Sequence, residues 1–266
     1  MKAPVHDARF AAARVSRRAV KKAASLAAAL AVIIGIWALA ARLVDKSFLP
    51  QPWGAFARLG ARLADGSLAL NLGASAKRVG LALLIAAPLA TALGLASGRS
   101  KRLDAFVSPF VYLLHPLPKI AFLPVIMLFL GLGDVAKVFL IFLIIFGQLL
   151  VSARDAARAV PPALVDTLRA MGASKLDLVR HAVFPFALPS LLSALRIGLG
   201  TAVAVLFMAE TFASETGLGW YIMDAWTRVD YPDMYAAIIA LALFGLGCYL
   251  AVDVAEAVLC RWRDVD

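Results

Sequence analysis

Apolar positions fall in long blocks along this chain, separated by short polar segments. A helix needs about 20 apolar residues to cross a hydrocarbon core. Six blocks approach that length, near residues 23–44, 72–96, 105–132, 135–151, 191–212 and 234–259. One polar segment, residues 161–190, has a pattern of its own. Its apolar positions Val165, Leu168, Met171, Leu176 and Val179 recur at helical spacing and are interrupted at Gly172. The pattern predicts helix, turn at Gly172, helix, with Pro185 and Pro189 preparing re-entry into the membrane. The fold class expected is all-α: a polytopic membrane protein of about six spans, with a short helical element between the fourth and fifth.

Composition agrees. The chain has 266 residues, 62% of them apolar and 17% charged, and its mean hydropathy is +0.85. A soluble fold cannot cover that much apolar surface. The net charge of +10 sits beside apolar blocks rather than along one face, which argues against nucleic acid.

Charge placement gives an orientation. Lys2, Arg9, Arg14, Arg17, Arg18, Lys21 and Lys22 precede the first block, and Arg99, Lys101 and Arg102 follow the second. The fourth–fifth loop and the C-terminal end are also basic. The alternate loops carry Asp45, Asp65, Asp134, Glu215, Asp224, Asp230 and Asp233. Six spans put all the basic segments on one side, so both termini are expected in the cytoplasm. The expected division is a basic cytoplasmic tail over 1–22, a first span over 23–44, a transmembrane domain over 45–260 that includes 161–190, and a cytoplasmic tail over 261–266. The first block exceeds a signal-peptide core of roughly 7–15 residues, so it reads as an uncleaved anchor.

The third block carries Pro109, Pro116, Pro118 and Pro124, with His115 and Lys119 among them. Broken backbone at membrane depth needs protein or water to satisfy it. His115, Pro118, Lys119, Leu123 and Pro124 therefore read as lining a pathway; a kinked packing helix with a snorkelling Lys119 is the alternative. Glu210, beside Thr211, lines the pathway, pairs with a cation, or is solvated at the outer interface. Gln148 reads as an interhelical hydrogen bond, Asp253 and Glu256 as partners of local arginines, and the Gly94–Gly98 spacing as a weak close-packing motif.

Several chemistries have no basis in the residues. No GxxxxGK[ST] loop, HExxH or GxSxG occurs. His6, His115 and His181 fall in separate segments, and two cysteines make no metal framework. A membrane enzyme therefore lacks a catalytic constellation and a metal site is not expected. A secondary transporter would show paired broken helices in two halves, and here only the third block is broken. A scaffold without transport would leave the prolines and Lys119 unexplained.

The segment Asp166-Thr167-Leu168-Arg169-Ala170-Met171-Gly172, followed by Val183-Phe184-Pro185, resembles the cytoplasmic signature of binding-protein-dependent ABC importer permeases. Asp166 stands at the signature glutamate, Gly172 at its glycine and Phe184-Pro185 at its Leu-Pro; Thr167 and Leu168 replace its two alanines. Pro118-Lys119-Ile120-Ala121-Phe122-Leu123-Pro124, Leu130-Gly131-Leu132-Gly133, Ala209-Glu210-Thr211, Gly217-Leu218-Gly219-Trp220 and Leu49-Pro50-Gln51-Pro52 are similar to the nitrate/sulfonate/taurine branch. The resemblance implies the pore subunit of an importer in a bacterial cytoplasmic (inner) membrane. It implies a second permease copy, a cytoplasmic ATPase dimer that carries the ATP and magnesium, an extracytoplasmic solute-binding protein, lipid around the spans, and no cofactor in this chain. It implies that Asp166, Leu168, Arg169, Ala170, Met171, Gly172, Ala173, Lys175, Leu176 and Pro185 couple to the ATPase, with Leu168, Met171 and Leu176 as apolar anchors. Related permeases serve sulfonates, nitrate, bicarbonate, thiamine-precursor pyrimidines and aromatic acids; Lys119 on the pathway would suit an anion.

Overall fold

A computed structural model describes residues 6–114 and 116–262. Its regular elements are helical: α1 (His6–Val44), α2 (Pro52–Ala64), α3 (Ser67–Arg99), α4 (Lys101–Leu114), α5 (Leu123–Leu130), α6 (Asp134–Arg158), α7 (Pro162–Ala170), α8 (Lys175–Leu178), α9 (Phe184–Thr211), α10 (Leu218–Thr227) and α11 (Tyr231–Leu259). Five runs are long and apolar enough to span a membrane: Ala27–Val44, Ser67–Arg99, Asp134–Arg158, Lys175–Thr211 and Tyr231–Leu259. The bent pair Lys101–Leu114 and Lys119–Leu130 brings the number to six where its two halves count as one broken span.

The chain divides into two compact units, Met1–Arg58 and Leu59–Asp266. In the first, Trp37 Nε1 donates to Pro50 O at 3.1 Å and its ring lies 6.4 Å from that of Phe56. Leu30, Val32, Ile33, Ile36 and Leu39 on α1 are exposed, as a helix in lipid requires.

In the second unit α3 and α6 pack along a stripe of small residues. Ala82, Ala86, Ala90, Gly94 and Gly98 recur every four residues, so one α3 face is nearly smooth. A Cβ on Gly94 would lie 2.5 Å from Ala153 Cβ and 2.7 Å from Leu150 O; one on Gly98 would strike the backbone of Arg154. The Gly94–Gly98 spacing is thus a true close approach. Above and below the stripe, Val79, Ile141, Ile145, Leu149, Leu199 and Leu206 fill the core. On the far side of the unit, Arg196 of α9 pairs with Asp253 at 2.5 Å and Glu256 at 2.6 Å on α11. The arginine partner of those two acids therefore comes from another helix.

Two expectations change. The third block is not one straight helix: α4 ends at Leu114, a turn over Lys119–Phe122 intervenes, and α5 leaves at 85° to α4. Pro116 and Pro118 lack the amide hydrogens that would carry α4 onward. The fifth block begins earlier than its apolar run suggests. Helix is continuous over Lys175–Thr211, with a wide turn at Val179–Val183 in which the Phe184 amide reaches back to Val179 O. That wider turn lies directly before Pro185, whose missing amide it accommodates. At about 1.5 Å per residue, 37 residues outrun a core of about 30 Å, so one end of this rod projects from the bilayer.

Candidate functional site

The segment read from the sequence as the coupling element leads into this rod at its Lys175 end. α7 starts with Pro162 in its first turn and ends in a Schellman closure. Ala173 N donates to Leu168 O at 3.0 Å and Gly172 N to Arg169 O at 2.9 Å. That closure puts Gly172 at φ +86° with open space around it. The glycine is needed for backbone shape, since a side chain there pays the left-handed penalty. Ser174 then caps α8: its hydroxyl accepts from the Asp177 amide at 3.2 Å while the Asp177 carboxylate accepts from the Ser174 amide at 3.0 Å. Two short helices thus meet at a fixed angle, and the second runs straight into α9.

The faces differ from the expected anchor. Val165 and Leu178 are buried, and Leu168 and Ala173 pack partly against the chain's own core. Met171 is 78% exposed, Leu176 75% and Leu164 41%. Leu168 therefore helps hold the element to the body, and its most exposed large apolar side chains are Met171, Leu176 and Leu164. Asp166, Ala170 and Lys175 are exposed. The Asp166–Arg169 ion pair, 3.7 Å long and mostly exposed, contributes little. Pro185 lies in the first turn of α9.

The residues expected on a pathway separate. His115 lies outside the described residues. Pro118 and Pro124 are exposed. Lys119 Nζ donates to Leu114 O at 3.2 Å. Lys119 also borders a cavity of about 350 Å³ whose walls include Phe106, Phe110, Leu114, Leu143, Phe146 and Gly147. Leu123 points instead into a second apolar cluster with Ile126, Leu140 and Val205, where it is 2% exposed. Its side chain is core because α5 presents that edge to α6. Thr211 spends its hydroxyl on Met208 O at 2.7 Å.

Glu210 is 1% exposed and paired. Arg78 Nη1 lies 2.5 Å from Glu210 Oε1. Ser75 Oγ donates to the carboxylate at 2.8 Å and the Gly219 amide at 2.9 Å. The other Arg78 hydrogens reach Asp134 Oδ1 from Nε at 2.8 Å, and Thr216 O and Oγ1 at 2.9 and 3.0 Å, so the guanidinium is saturated. Asn71 Oδ1 takes the Gly217 amide at 2.8 Å. Nearby, Lys137, 2% exposed, donates to Leu132 O and Ala213 O, both at 3.3 Å. This cluster ties α3, α6, α9 and the loop before α10 at one end of the unit. The sequence reading missed Asn71, Ser75, Arg78 and Lys137. Their signal was present: Arg78 and Lys137 interrupt apolar blocks, where an ionisable group needs a partner. At the same end Arg62 grips Asp233 at 2.7 Å, and Tyr221 Oη donates to that carboxylate at 3.2 Å. Burial pushes the Tyr221 phenol up, keeping it a donor.

Residues 67–264 match the family model described as binding-protein-dependent transport system inner membrane component. The taurine transport system permease protein of Escherichia coli is 30% identical over 241 residues, covering 88% of each chain. A putative aliphatic sulfonates transport permease protein of Bacillus subtilis is 30% identical over 236 residues, covering 88% of this chain and 86% of that one. An inward-facing structure of the MetNI methionine ABC transporter superposes with a TM-score of 0.56 at 19% identity, covering 72% of this chain and 94% of that one; that likeness concerns the fold. The chain belongs to the binding-protein-dependent family of ABC importer permeases, in its nitrate/sulfonate/taurine-like branch, and is a multi-pass inner-membrane protein.

Proposed function

We propose that this permease carries a small organic anion across the bacterial inner membrane as one of two identical copies, driven by a cytoplasmic ATPase dimer and supplied by an extracytoplasmic binding protein. Both termini and the α7–α8 element face the cytoplasm in this reading. The observation that carries it is the continuity of the exposed Leu164–Met171–Leu176 surface with the membrane-spanning α9. A groove on each ATPase subunit receives that apolar surface, with Arg169 and Lys175 at its rim. When ATP draws the ATPase subunits together, the fixed Gly172 turn and the unbroken helix after it pass the displacement to α9. The helices then exchange inward-open and outward-open packings. ATP and magnesium stay on the ATPase.

The solute class rests on Lys119 beside its aromatic-walled cavity, and on relatives named for taurine and aliphatic sulfonates. One relative, 27% identical, is named a formylaminopyrimidine transport permease protein in Halalkalibacterium halodurans; the nearly all-apolar cavity walls favour that uncharged class as the second reading. Uptake into proteoliposomes holding the complete transporter separates the two. With taurine and ethanesulfonate as probes, Lys119→Ala is expected to lower uptake about tenfold or more. Unchanged uptake would remove the anion role of Lys119, and uptake of a pyrimidine alone would replace the solute class.

A further inference from the structure

The α6–α9 seam carries a polar row that none of the roles above uses. On α6, Gln148 and Ser152 stand one turn apart; on α9, Ser190, Ser193 and Thr201 share a face with Ile197. Ser152 Oγ donates to Ser190 O at 3.1 Å. Gln148 Nε2 reaches Thr201 Oγ1 only at 3.5 Å, and Gln148 Oε1 is buried without a hydrogen-bond partner. Gly198 makes room for this amide: a Cβ there would lie 2.9 Å from Gln148 Oε1. An open cavity of about 470 Å³ lies at the Ser152–Ser190 end of the row, one turn from Gln148, lined by Ser152, Pro189, Ser190, Ser193, Ala194 and Ile197, all neutral.

Depth makes this row costly. Gln148 lies fourteen residues into α6, about 21 Å from its Asp134 end, within a hydrocarbon core of about 30 Å. A primary amide with spare hydrogen-bonding capacity is expensive against lipid. The Arg78 cluster differs, because its donors are used up internally. An underused amide beside a hydroxyl and one turn from an open neutral cavity fits a water-filled space.

We propose that this seam lines the inner part of the solute route and that Gln148 is its specificity-determining residue. The inference rests on the import reading above. Neutral amide and hydroxyl donors can replace part of an oxyanion's hydration shell without a full opposite charge. The anion is then held weakly enough to leave, as conduction along several sites requires.

The test places single cysteines at Ser152, Ser193 and Thr201 in a full-length chain whose Cys248 and Cys260 are replaced by serine, within the assembled transporter in everted membrane vesicles. A charged, membrane-impermeant methanethiosulfonate is the probe. The control is Leu84→Cys on α3, a site 72% exposed and apolar. Labelling about tenfold faster or more at the seam than at Leu84 is expected, since the reagent needs water. Equal rates, or disulfides between copies with no aqueous labelling, would overturn the proposal; the second result would make the seam a copy-to-copy interface. As an independent readout, Gln148→Leu should raise the KM for taurine and Gln148→Asn should restore part of it, whereas a purely structural amide would change only the amount of assembled complex. Labelling does not depend on what drives transport. A wild-type complex that takes up neither an anion nor a pyrimidine would therefore defeat the import reading alone, and failed labelling would defeat the seam alone.

Discussion

Replacing Glu210 by alanine removes the counter-charge of an arginine that is 3% exposed. The variant loses the 2.5 Å ion pair with Arg78 and leaves the Ser75 hydroxyl and the Gly219 amide without their acceptor. Breaking a buried pair from one side costs about 3–5 kcal/mol. Arg78 keeps Asp134 at 2.7 Å, but that carboxylate is 40% exposed, which points to the lower part of the range. At roughly 2–4 °C per kcal/mol for a chain of this size, the melting midpoint of the detergent-solubilised protein should fall by about 6–12 °C. Glu210→Gln keeps acceptors for Ser75 and Gly219 and should lie between wild type and alanine. The double variant Arg78→Met/Glu210→Met should recover much of the loss, because two apolar side chains leave no orphaned charge. Thermal unfolding followed by tryptophan fluorescence reads all four proteins. A Glu210→Ala midpoint within a degree or so of wild type would mean that the Arg78–Glu210 pair does not hold the unit together.

Other perturbations have defined outcomes. Gly94→Leu forces a side chain into Ala153 and Leu150 O and should destabilise by about 1–3 kcal/mol or more, read as loss of monodisperse protein on size exclusion; normal yield and melting would contradict the close packing. The Ser67 hydroxyl, then its amide, holds the Asp65 carboxyl below its ordinary range. A depressed pKa supplies stability above the unfolded value near 3.9 that disappears as pH falls through the folded one. Ser67→Ala should thus shallow the acid decline in melting temperature, and identical acid limbs would count against the cap.

The spans were legible because hydropathy and length constrain a helix in lipid more strongly than any other signal in the chain. α2 and α10 were missed because they are short, and Gly217, at φ +115°, starts α10 from a loop that no periodicity marks. The break in the third block was signalled by its prolines, but its angle depends on packing of α5 against α6. Leu168 packs partly against the core, which the sequence could not foretell, because the helical spacing of 161–190 gives a stripe without saying which edge meets the body. Arg78 and Glu210 stand 132 residues apart, so their pairing is a product of tertiary structure. The Gly172 turn and the Ser174–Asp177 cap, by contrast, are local and could be read from spacing.

The most direct test of coupling is co-purification of this chain with its candidate ATPase in mild detergent, comparing wild type with Gly172→Asp. A β-carbon at φ +86° costs about 1–2 kcal/mol locally and shifts Met171 relative to Leu176 while the membrane helices remain intact. Wild type is expected to retain the ATPase, and the variant to insert and fold but lose it. Equal retention by both proteins, or association with neither, would contradict a coupling role for the α7–α8 element.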